Sequence, residues 1–242
     1  MRSVRLPSTF VISLCVLTVA FGCGREEVPQ KEPASNGSQS SSQTGGATPV
    51  STNEPVAEAE EGFTLLRLAD FEAFQSEPGT WSESNGLLVT TGKPKGYLYS
   101  KKAHRNFTWR ADYRLVPTNE SDPKKQELPN TGFMLFIQEP HKIWPRSLEV
   151  QGRHDEMASI KSNGGVPALT ISDDPAARGS ARKSVGEWNS LEVRCVGGAV
   201  TAELNGTVIC KSEPGELQEG LIGVQAENFP VEFRRLRIRD DN

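Results

Sequence analysis

The sequence has few of the features that mark several common classes of protein. Its 242 residues contain no serine nucleophile elbow, phosphate-binding glycine loop or Cys-x-x-Cys pair. Acyl transfer, nucleotide hydrolysis and a structural zinc site therefore lack support. The net charge is only -4, and no basic patch is interleaved with aromatic residues, which argues against nucleic acid as a partner. Beyond the N-terminal segment, no hydrophobic run is long enough to span a membrane.

The N-terminal segment has the pattern of an export signal. A basic start precedes an apolar run over residues 10–21, which is too short to span a membrane. Residues 20–23, AFGC, resemble the bacterial lipoprotein signal, in which the cysteine becomes the lipidated first residue, although leucine is usual where Ala20 stands. We predict a signal peptide over residues 1–22 and a lipid anchor on Cys23. A plain signal peptide cut nearby is the alternative, and either one exports the chain to the periplasm or cell envelope.

Residues 23–61 are predicted to be a linker without a core of its own. From residue 24 this segment is rich in Ser, Gln, Thr, Pro, Gly and Glu and shows no apolar periodicity. Such a composition cannot bury enough surface to offset the entropy of the chain, so we expect a disordered tether. Residues 62–242 remain, and a chain of that length is sufficient for one domain with a sizeable core.

Residues 62–242 have the pattern of successive short β-strands. Apolar and polar side chains alternate over residues 107–115, which predicts a long strand buried on one face. Residues 131–138 are apolar on both faces, which indicates a central strand covered on both sides. The alternation breaks at Arg234-Arg235, where a bulge would restore it. No segment shows a long helical period, so we predict an all-β antiparallel sandwich or jelly roll, with helix limited to a turn or two.

Two tight turns fix the expected register near the C-terminal cysteines. Gly197-Gly198 and Asn205-Gly206 are typical hairpin turns, because both central positions need a positive φ. Counting outwards from these turns places Cys195 and Cys210 on opposite faces with one strand between them, and Cys210 opposite Thr201. Two strand spacings come to about 10 Å, beyond the reach of a disulfide. We therefore predict that both thiols are free.

Two polar segments interrupt the strands. Residues 116–130 contain three prolines, and residues 161–187 are rich in small and charged residues. We predict that both are long loops. Loops of this length are often functional rims, and the alternative is a surface insertion without a role.

Several short segments follow one another in a characteristic order along the chain. They are GTWSESNGLLV (79–89), NFTWRADYRL (106–115), NTG (130–132), LEVQ (148–151), GEWN (186–189), LNG (204–206), GLIGVQ (220–225) and VEFRRLRIR (231–239). In this order they resemble the bacterial 3-keto-disaccharide hydrolase domain family, over about residues 62–240. The resemblance implies a concanavalin-A-like jelly roll, similar to lectins and some glucanases, with carbohydrate as the partner and cleavage of oxidised 3-keto glycosides as the activity.

The segment LEVQ supplies the first candidate site residues. If Leu148 and Val150 point into the sandwich, Glu149 and Gln151 point away from it together. In a curved jelly roll one exposed face is a groove that can hold a sugar. The resemblance implies the same position, since the family commonly has a Glu-x-Gln pattern on the matching strand.

Three charged or titratable residues follow this strand directly. The usual relative has an Asp after the Gln and then a His, whereas this chain has Arg153, His154 and Asp155, so roles do not transfer one to one. An alternative interpretation makes His154 and Asp155 a solvated turn and pairs Glu149 with an arginine such as Arg110.

The chemistry implied by the resemblance assigns roles to these groups. A 3-keto group acidifies the hydrogen at C2, so a base can remove it and the glycosidic oxygen is expelled, after which water adds back. Such a reaction needs a base, an acid and a group that stabilises the enolate. We predict His154 as base or acid, because histidine is the residue type best suited to proton transfer near neutral pH, with Glu149 as the second choice. Arg153 is the candidate that polarises the ketone.

No cofactor or metal site is predicted. A divalent ion could polarise the ketone, and Glu149, His154 and Asp155 have suitable oxygen or nitrogen atoms, but their spacing matches no strong metal motif. Retaining glucanases of this fold use two carboxylates on one strand, about 5 Å apart. The strand here offers one carboxylate and one amide, so direct hydrolysis of an unoxidised glycoside is disfavoured.

Six residues are candidates for substrate binding. Trp144 precedes the strand and could stack on a sugar ring or cap the edge of the sandwich. Asn130 and Gln225 flank strands that the resemblance places near the groove. The set is Asn130, Arg110, Trp144, Gln151, Asp155 and Gln225.

Three functions remain open on the sequence. The first is an enzyme that cleaves 3-keto glycosides. The second is a non-catalytic carbohydrate-binding module held at the cell surface through its N-terminal lipid, for which Gln151 and Trp144 would matter and His154 would not. A weaker third is a surface interaction protein that uses the loops of the fold.

Overall fold

The computed structural model describes residues 60–118 and 128–241, and it confirms the predicted all-β fold. A short 3₁₀ helix covers Leu68–Asp70, and a helix α1 covers Pro175–Ala181. The strands are β1 (Thr64–Leu65), β2 (Phe71–Phe74), β3 (Trp81–Ser84), β4 (Leu87–Thr90), β5 (Gly96–Ser100), β6 (Phe107–Leu115), β7 (Gly132–Ile137), β8 (Ser147–Gln151), β9 (Ile160–Asn163), β10 (Ile171–Asp173), β11 (Asn189–Val196), β12 (Ala199–Leu204), β13 (Thr207–Ser212), β14 (Leu221–Ala226) and β15 (Val231–Asp240).

The predicted signal peptide, Cys23 and the linker up to residue 59 lie outside the described residues, so these assignments stay predictions. Residues 119–127 of the first predicted loop lie outside them as well. None of the helices in the described part of the chain has both the length and the hydropathy that a membrane span requires.

The strands form two antiparallel sheets with the core between them. One sheet has nine strands in the order β10-β13-β12-β11-β6-β15-β4-β3, with β1 added on β15, and the other has six in the order β2-β5-β14-β7-β8-β9. Trp109 of β6 meets Phe133 of β7 edge to face, with ring centroids 5.4 Å apart, and Tyr113 meets the same ring at 5.2 Å. Each such ring removes a large apolar surface from water, worth about 1.5–3 kcal/mol.

Strand β7 is covered on both faces, as its sequence predicted. It lies in the interior of the six-stranded sheet, and all six of its residues are buried. Phe133 and Leu135 belong to the central core, whereas Met134 and Ile137 pack with Tyr97 on the outer face of the sheet. The outer face of this sheet is therefore partly apolar.

A loop covers part of that outer face. His141, in the connection between β7 and β8, stacks on Tyr99 with ring centroids 4.0 Å apart. Its Nδ1 atom lies 2.9 Å from the Tyr97 hydroxyl. The loop therefore occupies the outer face over β5 and leaves the end of the sheet near Gly132 and Gln151 to other segments.

The two hairpin turns and the β15 bulge are confirmed. All four turn residues have positive φ, and the register of β15 against β6 shifts between Arg234 and Arg237. Both cysteines are free, as predicted, but the register behind that prediction was wrong. A bulge in β13 places Cys210 opposite Ala202 rather than Thr201, so Cys195 and Cys210 both face the core. They remain unpaired because β12 lies between their strands.

The prediction of one long loop over residues 161–187 was wrong. The segment contains most of β9, the edge strand β10 and the two-turn helix α1. Asp174 caps this helix by accepting a hydrogen bond from Ala177 N at 2.9 Å. Arg178 is buried, donates to Met157 O at 2.8 Å and pairs with Asp173. These contacts fix the segment against the sheets.

Arginines and aromatic rings cover the outer face of the nine-stranded sheet. The Phe63 ring lies under the guanidinium groups of Arg110 and Arg239, at 4.8 and 4.9 Å from their central carbons. Glu60 pairs with Arg110 and with Arg237. The first described residues of the chain are thus bound to the sheet that lies away from β8.

Candidate functional site

Glu149 and Gln151 project from the outer face of the six-stranded sheet. Leu148 and Val150 lie in the central core, and Glu149 pairs in register with the outward-facing Met134. This orientation is as predicted from alternation. Their accessibility is not, because Glu149 is only 5% exposed and Gln151 only 6%. The expected open, solvated groove is absent at these two positions.

Gln151 ends strand β8 by capping the backbone that follows it. Its side-chain Oε1 accepts hydrogen bonds from Gly152 N and Arg153 N, both at 2.9 Å. This accounts for the burial of the amide and for the turn after the strand. The predicted sugar-binding oxygen of Gln151 is therefore already occupied by two backbone donors.

Glu149 and Gln225 meet above Gly132. Glu149 Oε2 accepts from Asn163 Nδ2 at 2.8 Å. A Cβ built on Gly132 would stand less than 3.0 Å from both Glu149 Oε1 and Gln225 Oε1, so the missing side chain provides the space that the two groups share. Neither of these two oxygens has a hydrogen-bond partner in residues 60–118 and 128–241.

An open pocket of about 430 Å³ lies at the adjacent end of the six-stranded sheet. Strands β5 and β7 begin here, and β8 and β14 end here. Its polar lining comes from the segments next to these strand ends, and Leu128 and Phe229 form an apolar wall. The polar residues are Lys95, Asn130, Arg153, Asp155, Glu227 and Asn228. We call this the strand-end pocket.

Glu227 is the carboxyl group of this pocket whose pKa is raised. It accepts a hydrogen bond from Asn130 Nδ2 at 2.8 Å, and its other oxygen lies 3.6 Å from Lys95 Nζ. Burial raises the pKa of Glu227 above its ordinary value, although the Lys95 ammonium acts in the opposite direction. The side chain is 17% exposed, so it remains within reach of a ligand.

Glu227 and Lys95 were missed by the sequence analysis. Glu227 stands two residues after Gln225 and directly follows the last residue of β14, so continuing the alternation of the strand by one residue was the available signal that both side chains lie on one face. Lys95 carried no comparable signal, because it precedes β5 in a segment without alternation. Asn130, which the resemblance selected, does line the pocket.

Arg153 and Asp155 also line the pocket, but they bind each other. Arg153 Nε donates to Asp155 Oδ1 at 2.7 Å and Nη2 donates to Oδ2 at 3.0 Å, and Nη2 lies 3.0 Å from Glu156 Oε2. Burial acts to raise the pKa of Asp155, but the hydrogen bond and charge of Arg153 hold it below its usual value. This rim is an ion-pair network rather than a set of free charges.

His154 is not among the residues that line the pocket. Its backbone is held by Pro129 O and by Arg182 Nη1, at 3.2 and 3.1 Å, and it lies between two residues whose side chains do line the pocket. Its Nε2 atom is buried without a hydrogen-bond partner among the described residues. The residues on either side of His154 therefore line the pocket, whereas His154 itself does not.

Two predicted binding residues lie away from the strand-end pocket. Arg110 projects from the other sheet, where it pairs with Glu60 and Glu192. It therefore neither lines this pocket nor pairs with Glu149. Trp144 lies in the connection before β8, whereas the pocket lies after β8. Since β8 is extended, these two ends face opposite directions.

Metal-binding clusters are also absent from the described residues. No group of three or more His, Cys, Asp and Glu side chains in residues 60–118 and 128–241 is arranged to hold an ion. Besides Asp155, which is paired with Arg153, the site offers two carboxyl groups in different surroundings. Glu227 is open to the pocket, and Glu149 is buried beside it.

Comparisons with known proteins extend these observations. Residues 67–239 match the model of the family described as the 3-keto-alpha-glucoside-1,2-lyase-like domain. No curated protein matches the sequence.

Solved structures share the fold at low sequence identity. Two from Parabacteroides distasonis ATCC 8503, both described as candidate glycosyl hydrolases, are 18% identical. For the first, the TM-score is 0.55 and the alignment covers 74% of this chain and 99% of the other. For the second, the TM-score is 0.54 and the alignment covers 75% of this chain and 95% of the other. The carbohydrate recognition domain of Emp46p is 12% identical with a TM-score of 0.50, covering 72% of this chain and 90% of its own. At these identities the similarity establishes the fold alone.

Proposed function

Since the chain belongs to the 3-keto-alpha-glucoside-1,2-lyase-like domain family, we propose that it binds 3-keto glycosides in the strand-end pocket and cleaves them by elimination. The observation that carries this proposal is Glu227. It is a reachable carboxylate with a raised pKa, held by Asn130 and set beside the Lys95 ammonium. A perturbed carboxyl group in a pocket, next to a specific charged partner, is the pattern expected of a general base.

Glu227 and Lys95 can divide the chemistry between them. Glu227 takes the proton from C2, which the neighbouring 3-keto group acidifies, and the ammonium of Lys95 stabilises the enolate oxygen that forms. The electron pair then makes the C1–C2 double bond as the bond from C1 to the glycosidic oxygen breaks. The proton held by Glu227 passes to the departing oxygen. Atoms and charges balance without a co-reactant, and later addition of water to the double bond completes a net hydrolysis.

The other residues of the pocket bind and orient the substrate. Asn130 fixes the Glu227 carboxylate through its NH₂ group and leaves its own Oδ1 atom without a partner among the described residues, so it can accept from a sugar hydroxyl. The apolar wall of Leu128 and Phe229 suits the C–H face of a sugar ring.

The test is product release from a 3-keto glycoside by the purified protein and its Glu227→Gln variant. Loss of a positioned general base lowers kcat by about 10²–10⁴, while binding of the glycoside persists because the amide keeps the shape of the side chain. Glu232→Gln is the matched control, since Glu232 pairs with Arg114 on the other sheet. Unchanged turnover in the Glu227→Gln protein would overturn the assignment of the base.

A second candidate function is a non-catalytic carbohydrate-binding module. It is favoured by the rim of the pocket, where Arg153 and Asp155 neutralise each other and neither is free to act on a substrate. Wild-type protein that binds the intact 3-keto glycoside and releases no product would select this function.

The proposal includes export and a lipid anchor on Cys23, both supported by the sequence pattern of residues 1–23. Metabolic labelling with a radioactive fatty acid should mark the wild-type protein and not Cys23→Ala. Cys15→Ala is the matched control, because that cysteine lies within the predicted signal peptide. Labelling that persists in the Cys23→Ala protein would refute the anchor.

A further inference from the structure

Two buried oxygen atoms that have no hydrogen-bond partner among the described residues lie close together beside the strand-end pocket. Glu149 is 5% exposed and Gln225 is 1% exposed, and neither Glu149 Oε1 nor Gln225 Oε1 has a partner within the part of the chain that the structure describes. A buried polar atom left unpaired costs about 1–3 kcal/mol, and these two lie next to each other. Their coincidence at one place therefore calls for a single cause.

The backbone brings the two atoms together. Gln225 lies on β14 and Glu149 on β8, with β7 between these strands. At Gly132 of β7 both oxygens come within 3.0 Å of the point where a Cβ would stand. The glycine thus leaves a gap between β14 and β8 that the carboxyl and amide groups fill from opposite sides.

We propose that Glu149 carries a proton on Oε1 and donates it to Gln225 Oε1. One proton pairs both oxygens, since a protonated carboxyl group is a donor and an amide oxygen is an acceptor. The second carboxyl oxygen, Oε2, already accepts from Asn163 Nδ2 at 2.8 Å. Every polar atom of the Glu149 carboxyl group then has a partner.

Burial, with the charge of Glu227, favours the neutral form of Glu149. Burial raises the pKa of Glu149, and the charge of Glu227 raises it further, while the Asn163 hydrogen bond, the Lys161 charge and the Gln225 amide act to lower it. Lys161 is the cross-strand neighbour of Glu149, but its Nζ atom binds Glu156 Oε2 at 2.7 Å. The Lys161 ammonium is therefore directed to another carboxylate.

Glu149 in this state is a positioning residue for Glu227, a role that rests on the proposed function. Two neighbouring carboxylates resist ionising together, so the one that stays neutral lets the other carry the charge. Glu149 is the buried member and Glu227 the reachable one. The proton stored on Glu149 thus keeps Glu227 ionised and available as the base.

The test is the protonation state of Glu149 in the resting protein, without substrate. The full chain is labelled with ¹³C at the glutamate carboxyl carbons and titrated by NMR, and the resonance lost in Glu149→Gln is assigned to Glu149. We expect that resonance to have the shift of a protonated carboxyl group at pH 7. Its midpoint should fall in Glu227→Gln, because the neighbouring negative charge is gone.

A Glu149 resonance that titrates near the usual value of 4.5 would overturn the proposal and would indicate that the Gln225 amide donates to an ionised carboxylate instead. Infrared spectroscopy gives a second readout. A carbonyl band of a protonated carboxyl group at pH 7 that persists in Glu227→Gln supports the proposal, and its absence overturns it, because Glu227 is the other carboxyl group of the site with a raised pKa. Since neither measurement involves turnover, the result stands apart from the outcome of the Glu227→Gln assay.

Discussion

Replacing Gly132 by alanine is expected to damage the site directly. The new Cβ would stand less than 3.0 Å from Glu149 Oε1 and from Gln225 Oε1, a separation that real Cβ atoms essentially never show. Both side chains are buried, and Glu149 is also held by Asn163. Gly132 is not among the residues with positive φ, so the backbone accepts alanine and the effect is purely steric.

The magnitude follows from two opposing contributions. Forcing a methyl group into a packed interior costs about 1–3 kcal/mol. Alanine also restricts the unfolded chain, which returns about 0.4–1 kcal/mol. Taking the middle of each range leaves a net loss of about 1.3 kcal/mol. For a domain of this size each kcal/mol lowers Tm by about 2–4 °C, so a fall of about 3–5 °C is expected.

Thermal unfolding monitored by circular dichroism measures this shift. Gly179→Ala is the matched control, since Gly179 lies in α1, has no positive φ, and its added Cβ would meet no atom of the described residues within 4 Å. That variant should gain about 0.5–1 kcal/mol. An unchanged or raised Tm in Gly132→Ala would show that Glu149 and Gln225 do not share the space above the glycine.

Three further outcomes are expected. The pKa of Glu227 is raised in the folded protein, so its contribution to stability is present below about pH 4.5 and is lost as the pH rises through the folded pKa. Urea unfolding at several pH values should therefore show a smaller fall in the free energy of unfolding with pH for Glu227→Gln than for the wild type, and an equal fall in both proteins would contradict this. Burial raises the pKa of the thiols of Cys195 and Cys210, the latter to about 11. Neither thiol should therefore react with iodoacetamide at pH 7 before the protein unfolds, and rapid labelling of these two cysteines in the native protein would be inconsistent with the fold. Asp112 is 3% exposed and pairs with Arg235, so Asp112→Ala should lose about 3 kcal/mol in denaturant unfolding, whereas a loss within error would show that the pair contributes nothing.

Alternation and turn chemistry were sufficient to predict most of the fold. Local sequence predicted the inward faces of β6 and β7, the two hairpins and the β15 bulge. Each of them depends on residues that are close in sequence. The bulge in β13 was not predicted, since it depends on how the strand meets β12. Helix α1 was missed although Asp174-Pro175 is a helix-start signal, a cap followed by proline at the first turn.

The sequence was sufficient to predict which way the side chains of the candidate site point, but not how far they are exposed to solvent. Alternation along β8 correctly turned Glu149 outwards. Its burial depends on segments far away in sequence that cover the outer face, and no local pattern reports on them. The same limit applies to Glu227, whose pocket is built from four strand ends that only the folded sheet brings together.

The attachment of Glu60 and Phe63 to the nine-stranded sheet sets a polarity for the whole domain. The chain enters on one broad side of the sandwich, and the strand-end pocket belongs to the opposite layer. The side chains that hold the start of the described chain are therefore not the ones that line the pocket, so a ligand can enter the pocket without disturbing that attachment.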